Sequence, residues 1–470
     1  MITRTLGEIA FMAGGKLAEG TDASIIASGV SRDSRAITPG VLYVPLIGET
    51  FDGHEFTANA LEQGAVAALW QSDRPNPPAG APLIFVEDTL AALQRLAKAY
   101  RRRLPVRIVG ITGSNGKTTT KDLTAAVLSA SFRVHKTAGN YNNHIGLPLT
   151  LLQLTEQTEV AVLEMGMSGR GEIELLSRLA EPEVAVITNI GEAHLLQLGS
   201  RKEIARAKTE ILSGLQPDGV LIYNGDEPLI EEVLPELAEP GRMRTDRYGK
   251  VRFGARADND LFPEDIQTEP TGSKFHVNGD ASTDYVVPLP GAHNVVNALA
   301  AIAVGRHFGM DAGSIAGGLA QAELTGMRIE VSVAPSGLTL LNDAYNASPT
   351  SMRAAIDLLH ELKGFGRKFA VLGDMLELGE REKDFHREVG ALLDPEQVEA
   401  VYLYGPLSVY TAEGAGSRFP AERVRHFETK EALARELAQA AGAQDVILIK
   451  GSRGMRMEQV AAFLVDSHKP

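Results

Sequence analysis

The sequence predicts an α/β protein in three domains: a small N-terminal α/β domain, a central doubly wound domain and a C-terminal Rossmann-like domain. Three observations predict it. The chain has 470 residues, and a single hydrophobic core stops growing at roughly 250–300 residues. Short apolar runs of strand length recur through the later two thirds, separated by stretches of helical length, which is the alternation of a parallel sheet. The rhythm breaks at Pro105 and again near Gly326, setting domains at 1–104, 105–326 and 327–470.

In the first domain, residues 41–46 read as a strand, 55–63 as a helix and 65–70 as a second strand. SDRPNPPAGAP is a loop, since Pro and Gly at that density fit no regular element. A helix over 89–103 ends in three arginines, either a basic patch or a solvated helix end that complements the macrodipole. In the central domain, 107–111 is a strand and 117–129 a helix, and 160–164 and 184–188 read as strands buried on both faces. Residues 245–290 look like a small antiparallel insertion with Gly and Asp turns, followed by a helix over 294–308. The third domain has strands at 338–341, 368–372, 400–403 and 446–449. Its first helix starts at Ser348-Pro349, with Ser at the cap and Pro in the first turn, and GSRGM leads into the last helix. No internal repeat or low-complexity tract stands out.

Composition narrows the function. The chain has 46 basic and 60 acidic residues, a net charge of −14. That argues against a nucleic-acid or anionic-membrane binder, while leaving room for a local positive cleft. There is no cysteine, which excludes disulfides, thiolate zinc sites and a catalytic thiol. A metal must then use oxygen or imidazole, favouring a hard ion such as magnesium. The opening MITRTLGEIAFMAGG mixes Arg4 and Glu8 among its apolar residues, unlike a signal peptide. No apolar run reaches the ~18 residues of a membrane span, so a cytoplasmic protein is expected.

GITGSNGKTTT (110–120) follows a predicted strand and opens a predicted helix, the setting in which glycine-rich loops bind phosphate. The common phosphate loop has Gly, four residues, then Gly-Lys-Ser/Thr, and counting back from Gly116 puts Ile111 where that glycine belongs. Gly113 and Gly116 still let the backbone curl about an anion. Lys117 supplies a mobile positive charge and Thr118 a hydroxyl for magnesium. Nucleotide binding is expected, making this a P-loop, ATPase-like domain; the alternative is an ordinary Gly/Asn turn.

Three further residues stand out. Glu164 ends a buried strand, where open α/β sheets bind ligands; its carboxylate either holds a cation beside the phosphates or caps a nearby loop. His194, in TNIGEAH, arrives at the same edge, although alone it reads as a surface or core residue. Ser200 and Glu203 form a capping box, and the helix that follows has apolar positions Ile204, Ile211, Leu212 and Leu215. Lys208 sits on that apolar face. Either its stem packs and the ammonium reaches water, or burial lowers its pKa and the amine stays partly neutral. A neutral amine can take up carbon dioxide as a carbamate, an anionic metal ligand.

GSNGKTT, Glu164, NIGEAH and ARAKTE together resemble the Mur ligase family of cell-wall precursor enzymes, which are ATP-dependent amide ligases. The family's loop is Thr-Gly, two residues, Gly-Lys-Thr, here Thr112 to Thr118, so Ile111 belongs to the strand. NYNNHIGLPLTLL (140–152), GAHNVVNALAA (291–301), NDAYNASP (342–349), VLGDMLELGE (371–380) and LIKGSRGM (448–455) extend the resemblance over nearly the whole chain. They point to the branch that joins D-alanyl-D-alanine to UDP-N-acetylmuramoyl-tripeptide. The branch that adds a diamino acid carries Asp-Asn-Pro-Arg in its last domain, and no such tetrapeptide occurs here. NDAYNASP and LGDMLELGE argue against a folylpolyglutamate synthetase on the same scaffold. A non-enzymatic nucleotide switch would need neither Lys208 nor a large acceptor domain.

The resemblance implies roles. Gly113, Ser114, Asn115, Gly116, Lys117, Thr118 and Thr119 would cradle ATP. Thr118, Glu164 and His194, with a carbamylated Lys208, would arrange two magnesium ions; Lys117, Lys208, Glu164 and His194 form the catalytic set. Asn294 and Asn297 would lie near adenine. Arg328 and Asp343 would reach phosphate or ribose as the third domain closes, with Tyr345 and Asn346 lining the same crevice. Asp33, Ser34, Arg35, Gly53 and His54 match the uridine-nucleotide end, and Ser452 and Arg453 the dipeptide carboxylate, a geometry that suits arginine. One departure is visible: the family usually follows the histidine-leucine pair with an acidic residue and a glycine, and this chain has Leu196-Gln197. A monomer without nucleic-acid or membrane partners is expected. The third residue of the tripeptide, meso-diaminopimelate or lysine, stays open.

Overall fold

Strands that are apolar on both faces, joined by amphipathic helices, have one stable arrangement: a parallel sheet covered on each side. The computed structural model describes residues 1–238 and 248–467, and its central sheet has six parallel strands. They lie in the order Gly249–Phe253, Val220–Asn224, Val184–Ile187, Arg107–Thr112, Val160–Glu164 and Val134–Lys136. The chain runs first to one side of Arg107–Thr112 and then to the other, which makes that strand the topological switch point. Register there is level: Glu164 lies opposite Ile111, and Ile187 opposite Thr112. The loops after these three strands therefore leave the sheet side by side, where such sheets bind ligands. Helix Lys117–Ser129 covers one face and packs against Ala292–His307.

The antiparallel insertion expected over 245–290 is narrower than the sequence suggests. Its three strands are Pro263–Glu269, Gly272–Val277 and Asp280–Val287. Gly249–Phe253 instead pairs in parallel with Val220–Asn224, because Phe253 belongs to the main core. Residues 245–247 of that expectation lie outside the described residues.

The N-terminal domain is built from very short strands. Lys16–Leu17, Leu83–Val86, Ala67–Gln71, Leu42–Tyr43 and Val30–Ser31 form one sheet in that order. The strand expected over 41–46 stops at Tyr43, two residues before Pro45, which has no N–H for the ladder. The expected helix 55–63 divides into a 3-10 turn, Gly53–Phe56, and a helix, Thr57–Glu62.

In the arginine run at 101–103, Arg102 and Arg103 are exposed as at a solvated helix end, but Arg101 is not. Arg101 is buried and donates from Nε to the carbonyl of Ala180 (2.8 Å) and from NH2 to that of Glu181 (3.1 Å). Arg102 pairs with the Glu181 carboxylate (Nε···Oε1 3.0 Å). Helix Glu172–Ala180 ends there, and its last carbonyls have no partners within the helix. The first domain is thus clasped to the second by capping one of its helices.

The third sheet is ordered Glu330–Val333, Thr339–Asp343, Val446–Lys450, Lys368–Gly373, Ala400–Tyr404 and Val424–Phe427; its first strand is antiparallel and the rest are parallel. Asp343 lies opposite Lys450 at the carboxyl edge. Helix Pro349–Glu361 is capped by Ser348, whose hydroxyl accepts from the Ser351 amide. Among the described residues no helix is long and apolar enough to cross a membrane.

Arg101→Met keeps the stem and removes both donors. Denaturant unfolding should show a loss of about 1–3 kcal/mol, whereas Arg102→Met, at a half-exposed ion pair, should cost under about 1 kcal/mol.

Candidate active site

The loop after the switch-point strand is locked by its neighbours. The Ser114 amide donates to the Asn189 carbonyl (3.0 Å) and the Asn115 amide to Asn189 Oδ1 (2.9 Å), while Thr188 Oγ1 donates to the Asn115 carbonyl (2.5 Å). A Cβ on Gly113 would fall 1.8 Å from Thr188 Oγ1. Gly116, with φ 78°, caps helix Lys117–Ser129 in a left-handed conformation, and a Cβ there would meet Asn297 Oδ1 at 2.5 Å. No side chain caps this helix, so its first N–H groups are free for an anion. Among the described residues, Ser114 Oγ and Asn115 Nδ2 are buried without partners. Lys117 Nζ curls back onto the carbonyls of Gly113 (2.8 Å) and Ser114 (3.3 Å).

Glu164 comes from the adjacent strand end. Its carboxylate, 2% exposed, accepts from Thr118 Oγ1 (2.9 Å) and Asn142 Nδ2 (2.8 Å). Both donors are neutral, and among the described residues it has no ion-pair partner. A buried anion bonded to neutral groups suits a cation. Lys208 is the converse. It is 1% exposed, and among the described residues its ammonium has neither a hydrogen bond nor an ion pair. Burial, and next the charge of Lys117, hold its pKa well below the ordinary lysine value. Burial likewise lowers Lys117, with Glu164 opposing and Arg328 adding to the fall. His194 has φ 66° and is lowered by burial, then by Lys208 and Lys117. These four residues therefore share one electrostatic neighbourhood. The Ser200 cap forms, accepting from the Glu203 amide, but the Glu203 carboxylate goes to Arg170 and Arg206 instead of completing the box.

A cavity of about 320 Å³ opens above the loop. Ser114, Asn115, Gly116, Lys117, Thr119 and Glu164 line it from the central domain, together with Asn294 and Asn297. Asn294 Nδ2 donates to the Pro290 carbonyl (2.8 Å), and Asn297 Nδ2 to Asn294 Oδ1 (3.3 Å). The opposite wall is the third domain: Arg328, Asp343, Tyr345 and Asn346. Arg328 lies over the Tyr345 ring at 4.0 Å and donates from NH2 to Thr118 Oγ1 (3.2 Å). Contacts that seat that domain include Arg328–Thr118, Ser348 Oγ to Asn115 Oδ1 (3.2 Å), Thr350 Oγ1 to Glu192 Oε2 (2.7 Å), His194 Nδ1 to Glu377 Oε2 (3.1 Å) and the Leu196 amide to the Glu377 carbonyl (3.2 Å). The structure is a closed arrangement.

Other expected residues lie outside this cavity. Asp33, Ser34 and Arg35 form a turn in which both Asp33 oxygens accept from Arg35, whose side chain is largely exposed. His54 is buried; its Nδ1 bonds Asp52 Oδ1 (2.7 Å), its Nε2 accepts from the Gln71 amide (3.2 Å), and its ring packs edge-on to Trp70. A Cβ on Gly53 would meet the Leu46 amide nitrogen at 2.7 Å. Gly53 and His54 thus build the domain's interior rather than present free groups. Ser452 is also engaged internally: buried, its hydroxyl accepts from the Leu376 amide (2.9 Å) and donates to the Ala347 carbonyl (3.4 Å), bracing two loops. Arg453 is exposed, against Glu458 and the Met327 sulfur (each 3.3 Å).

Sequence reasoning missed Lys450, Asn142 and His293. Lys450 Nζ, buried, pairs with Asp343 and donates to the Asn346 carbonyl (3.0 Å). It ends a buried strand as Glu164 does, and that signal could have found it. Asn142 and His293 lie in the stretches 140–152 and 291–301 that carry the family resemblance, but nothing in the local pattern singled them out. His293 lines the cavity, and burial pulls it down to about 4, with Asp343 raising it and Lys450 lowering it. Among the described residues no three His, Asp or Glu side chains cluster as a metal cage. Thr118, Glu164 and His194 could hold an ion only together with other oxygens.

The class these features define is a nucleotide-using enzyme whose phosphate loop is completed by a second domain. Comparison with known proteins narrows it. Residues 27–101 match the Mur ligase family catalytic domain, 111–305 the Mur ligase middle domain and 327–453 the Mur ligase glutamate ligase domain. A UDP-N-acetylmuramoyl-tripeptide--D-alanyl-D-alanine ligase of Bacillus subtilis (strain 168) is 49% identical over 467 residues, covering 99% of each chain. A crystal structure of MurF from Acinetobacter baumannii aligns with a TM-score of 0.88 at 30% identity over 99% of each chain. MurF ligase from Thermotoga maritima, in complex with ADP, aligns with a TM-score of 0.80 at 29% identity, over 94% of this chain and 98% of that one. The chain belongs to the Mur ligase family and is an ATP-dependent ligase.

Because His293 titrates at about 4 in the folded chain and near 6.5 when unfolded, the unfolded state takes up the proton first. Stability should fall as pH drops from about 6.5 toward 4, by at most about 3 kcal/mol from this residue, since the ring keeps an edge open to the cavity. His293→Gln should flatten that part of a stability–pH profile measured by denaturant unfolding.

Proposed function

We propose that the chain joins D-alanyl-D-alanine to UDP-N-acetylmuramoyl-tripeptide, giving UDP-N-acetylmuramoyl-pentapeptide, ADP and phosphate, a step of peptidoglycan precursor synthesis. The observation that carries the chemistry is Lys208, a buried amine beside a phosphate loop and, among the described residues, without an acidic partner. The choice of substrates is supported by the full-length likeness to the Bacillus subtilis ligase.

A carboxylate resists attack by an amine until one oxygen becomes a leaving group. The terminal carboxylate of the tripeptide attacks the γ-phosphorus of ATP, the bond to ADP breaks, and an acyl phosphate forms. The amine of D-alanyl-D-alanine adds to its carbonyl carbon; the tetrahedral intermediate loses phosphate and a proton to give the amide. The protein's part is positioning and charge neutralisation. Gly113, Gly116 and the free N–H groups of the first helical turn receive the phosphates, and Lys117 swings from its loop carbonyls to the γ-phosphoryl group. Asn294, Asn297 and His293 face the nucleoside, while Arg328 and Asp343 close from the third domain, Lys450 holding Asp343 in place. Closure excludes water, which would hydrolyse the acyl phosphate.

Thr118, Glu164 and His194 would hold magnesium, two ions in this reading, which supplies positive charge to the phosphates. The Lys208 amine, its pKa lowered by burial, could take up carbon dioxide with loss of a proton, and the resulting carbamate would offer a further anionic oxygen where carboxylates are short. Arg453 reaches the dipeptide carboxylate, and the Asp33–Arg35 turn faces the uridine end. We read the protein as a cytoplasmic monomer: residues of a single chain line the cavity, and ATP and UDP-linked substrates fit a reaction in the cytoplasm.

ADP release measured with and without UDP-N-acetylmuramoyl-tripeptide and D-alanyl-D-alanine, with mass detection of the pentapeptide, tests the reading. ADP formed regardless of both substrates would reject it. Lys117→Ala should abolish ligation in a folded protein. Lys208→Ala should be nearly inactive, with partial recovery in added short-chain carboxylic acids; full activity without them would remove the carbamate.

A further inference from the structure

The linker into the third domain holds an arrangement the nucleotide chemistry does not use. Met327 (φ 59°) and Ile329 (φ 52°) flank Arg328, both in the left-handed region that is unfavourable for residues with a Cβ and most of all for a β-branched one. Such backbone persists only where its surroundings over-determine it. Two carboxylates do so here. Asp122 Oδ2 accepts from the amide (2.9 Å) and the hydroxyl (2.8 Å) of Thr325, and Glu330 Oε2 accepts from the Met327 amide (3.1 Å).

Asp122 is itself firmly held. It is 1% exposed, and its other oxygen, Oδ1, meets Lys136 (2.6 Å) and Lys121 (3.2 Å). Burial alone would raise its carboxyl, but Lys121, Lys136 and the Thr325 amide outweigh that and keep it below the usual range. Asp122 follows Thr118 by one helical turn, so the two side chains lie one above the other on the same side of the helix. Thr118 receives Arg328, and Asp122 receives Thr325. The phosphate-loop helix thus grips the linker at two points three residues apart.

We propose that Asp122 is a positioning residue: through Thr325 it sets the linker so that the Arg328 guanidinium arrives at Thr118. The phosphate-loop helix then fixes where the third domain enters the site. This rests on the reading of Arg328 as a nucleotide contact, and the experiment separates the two.

ATP affinity is measured by calorimetry on the full chain for Thr325→Val, Thr325→Ser, Asp122→Asn and Arg328→Ala, and for Thr325→Val and Asp122→Asn each combined with Arg328→Ala; thermal melts check that every variant folds. Thr325→Val removes the hydroxyl donor at nearly constant shape, and carries the test should Asp122→Asn unfold. Weakening of roughly five- to tenfold is expected for Thr325→Val and Asp122→Asn, with Thr325→Ser near the parent. Neither substitution should weaken binding further once Arg328 is alanine. Equal weakening with and without Arg328, or none in either background, overturns the positioning role. Unchanged affinity in Arg328→Ala would instead remove the nucleotide contact on which the proposal stands.

Discussion

Everything at this site depends on three parallel strands ending level. Because Glu164 pairs with Ile111 and Ile187 with Thr112, a loop, a carboxylate and a histidine-bearing turn leave the sheet within reach of one another. A shift of one residue in the first pairing would turn Glu164 to the opposite face. The register is secured by burial: the residues of Val160–Glu164 and Val184–Ile187 are buried without exception. Core packing, rather than any contact made by the catalytic groups, therefore sets the geometry in which they meet.

Legibility followed the same physics. Lys117–Ser129 and Val160–Glu164 were readable to the residue, since a continuous apolar run or a glycine cap needs no distant partner to interpret. Lys208 was readable because a lysine on an apolar stripe contradicts its neighbours. The N-terminal strands were not, being two or three residues long in several cases, too short for a period to show. Arg101 was misread because the groups that define it, the carbonyls of Ala180 and Glu181, are about eighty positions away in sequence. His54 and Ser452 carried polar side chains that suggested ligands, yet the fold had already engaged their polar atoms. Their local sequence could not reveal partners supplied by Gln71, Leu376 and Ala347.

Each domain junction pairs a shared apolar core with polar contacts. Between the first and second, Leu93, Leu96 and Tyr100 cluster with Leu147, Leu151 and Ile173, and Arg101, a buried side chain, completes the end of a foreign helix. Between the second and third, Val295 and Ala298 cluster with Met352, Ala355 and Leu358, and Asn115, Thr118, Glu192 and His194 add polar contacts around the cavity. Burial of apolar surface supplies most of the hold, since part-exposed polar contacts are individually weak.

The cavity and its margin gather Lys117, Lys208, Arg328 and Lys450 against Glu164 and Asp343. Brought together, like charges repel, and burial lowers the pKa values of Lys117 and Lys208. A triphosphate bound in this space would therefore also act as a counter-ion to these cations. Nucleotide supply would then govern the resilience of the folded molecule as well as its rate of turnover.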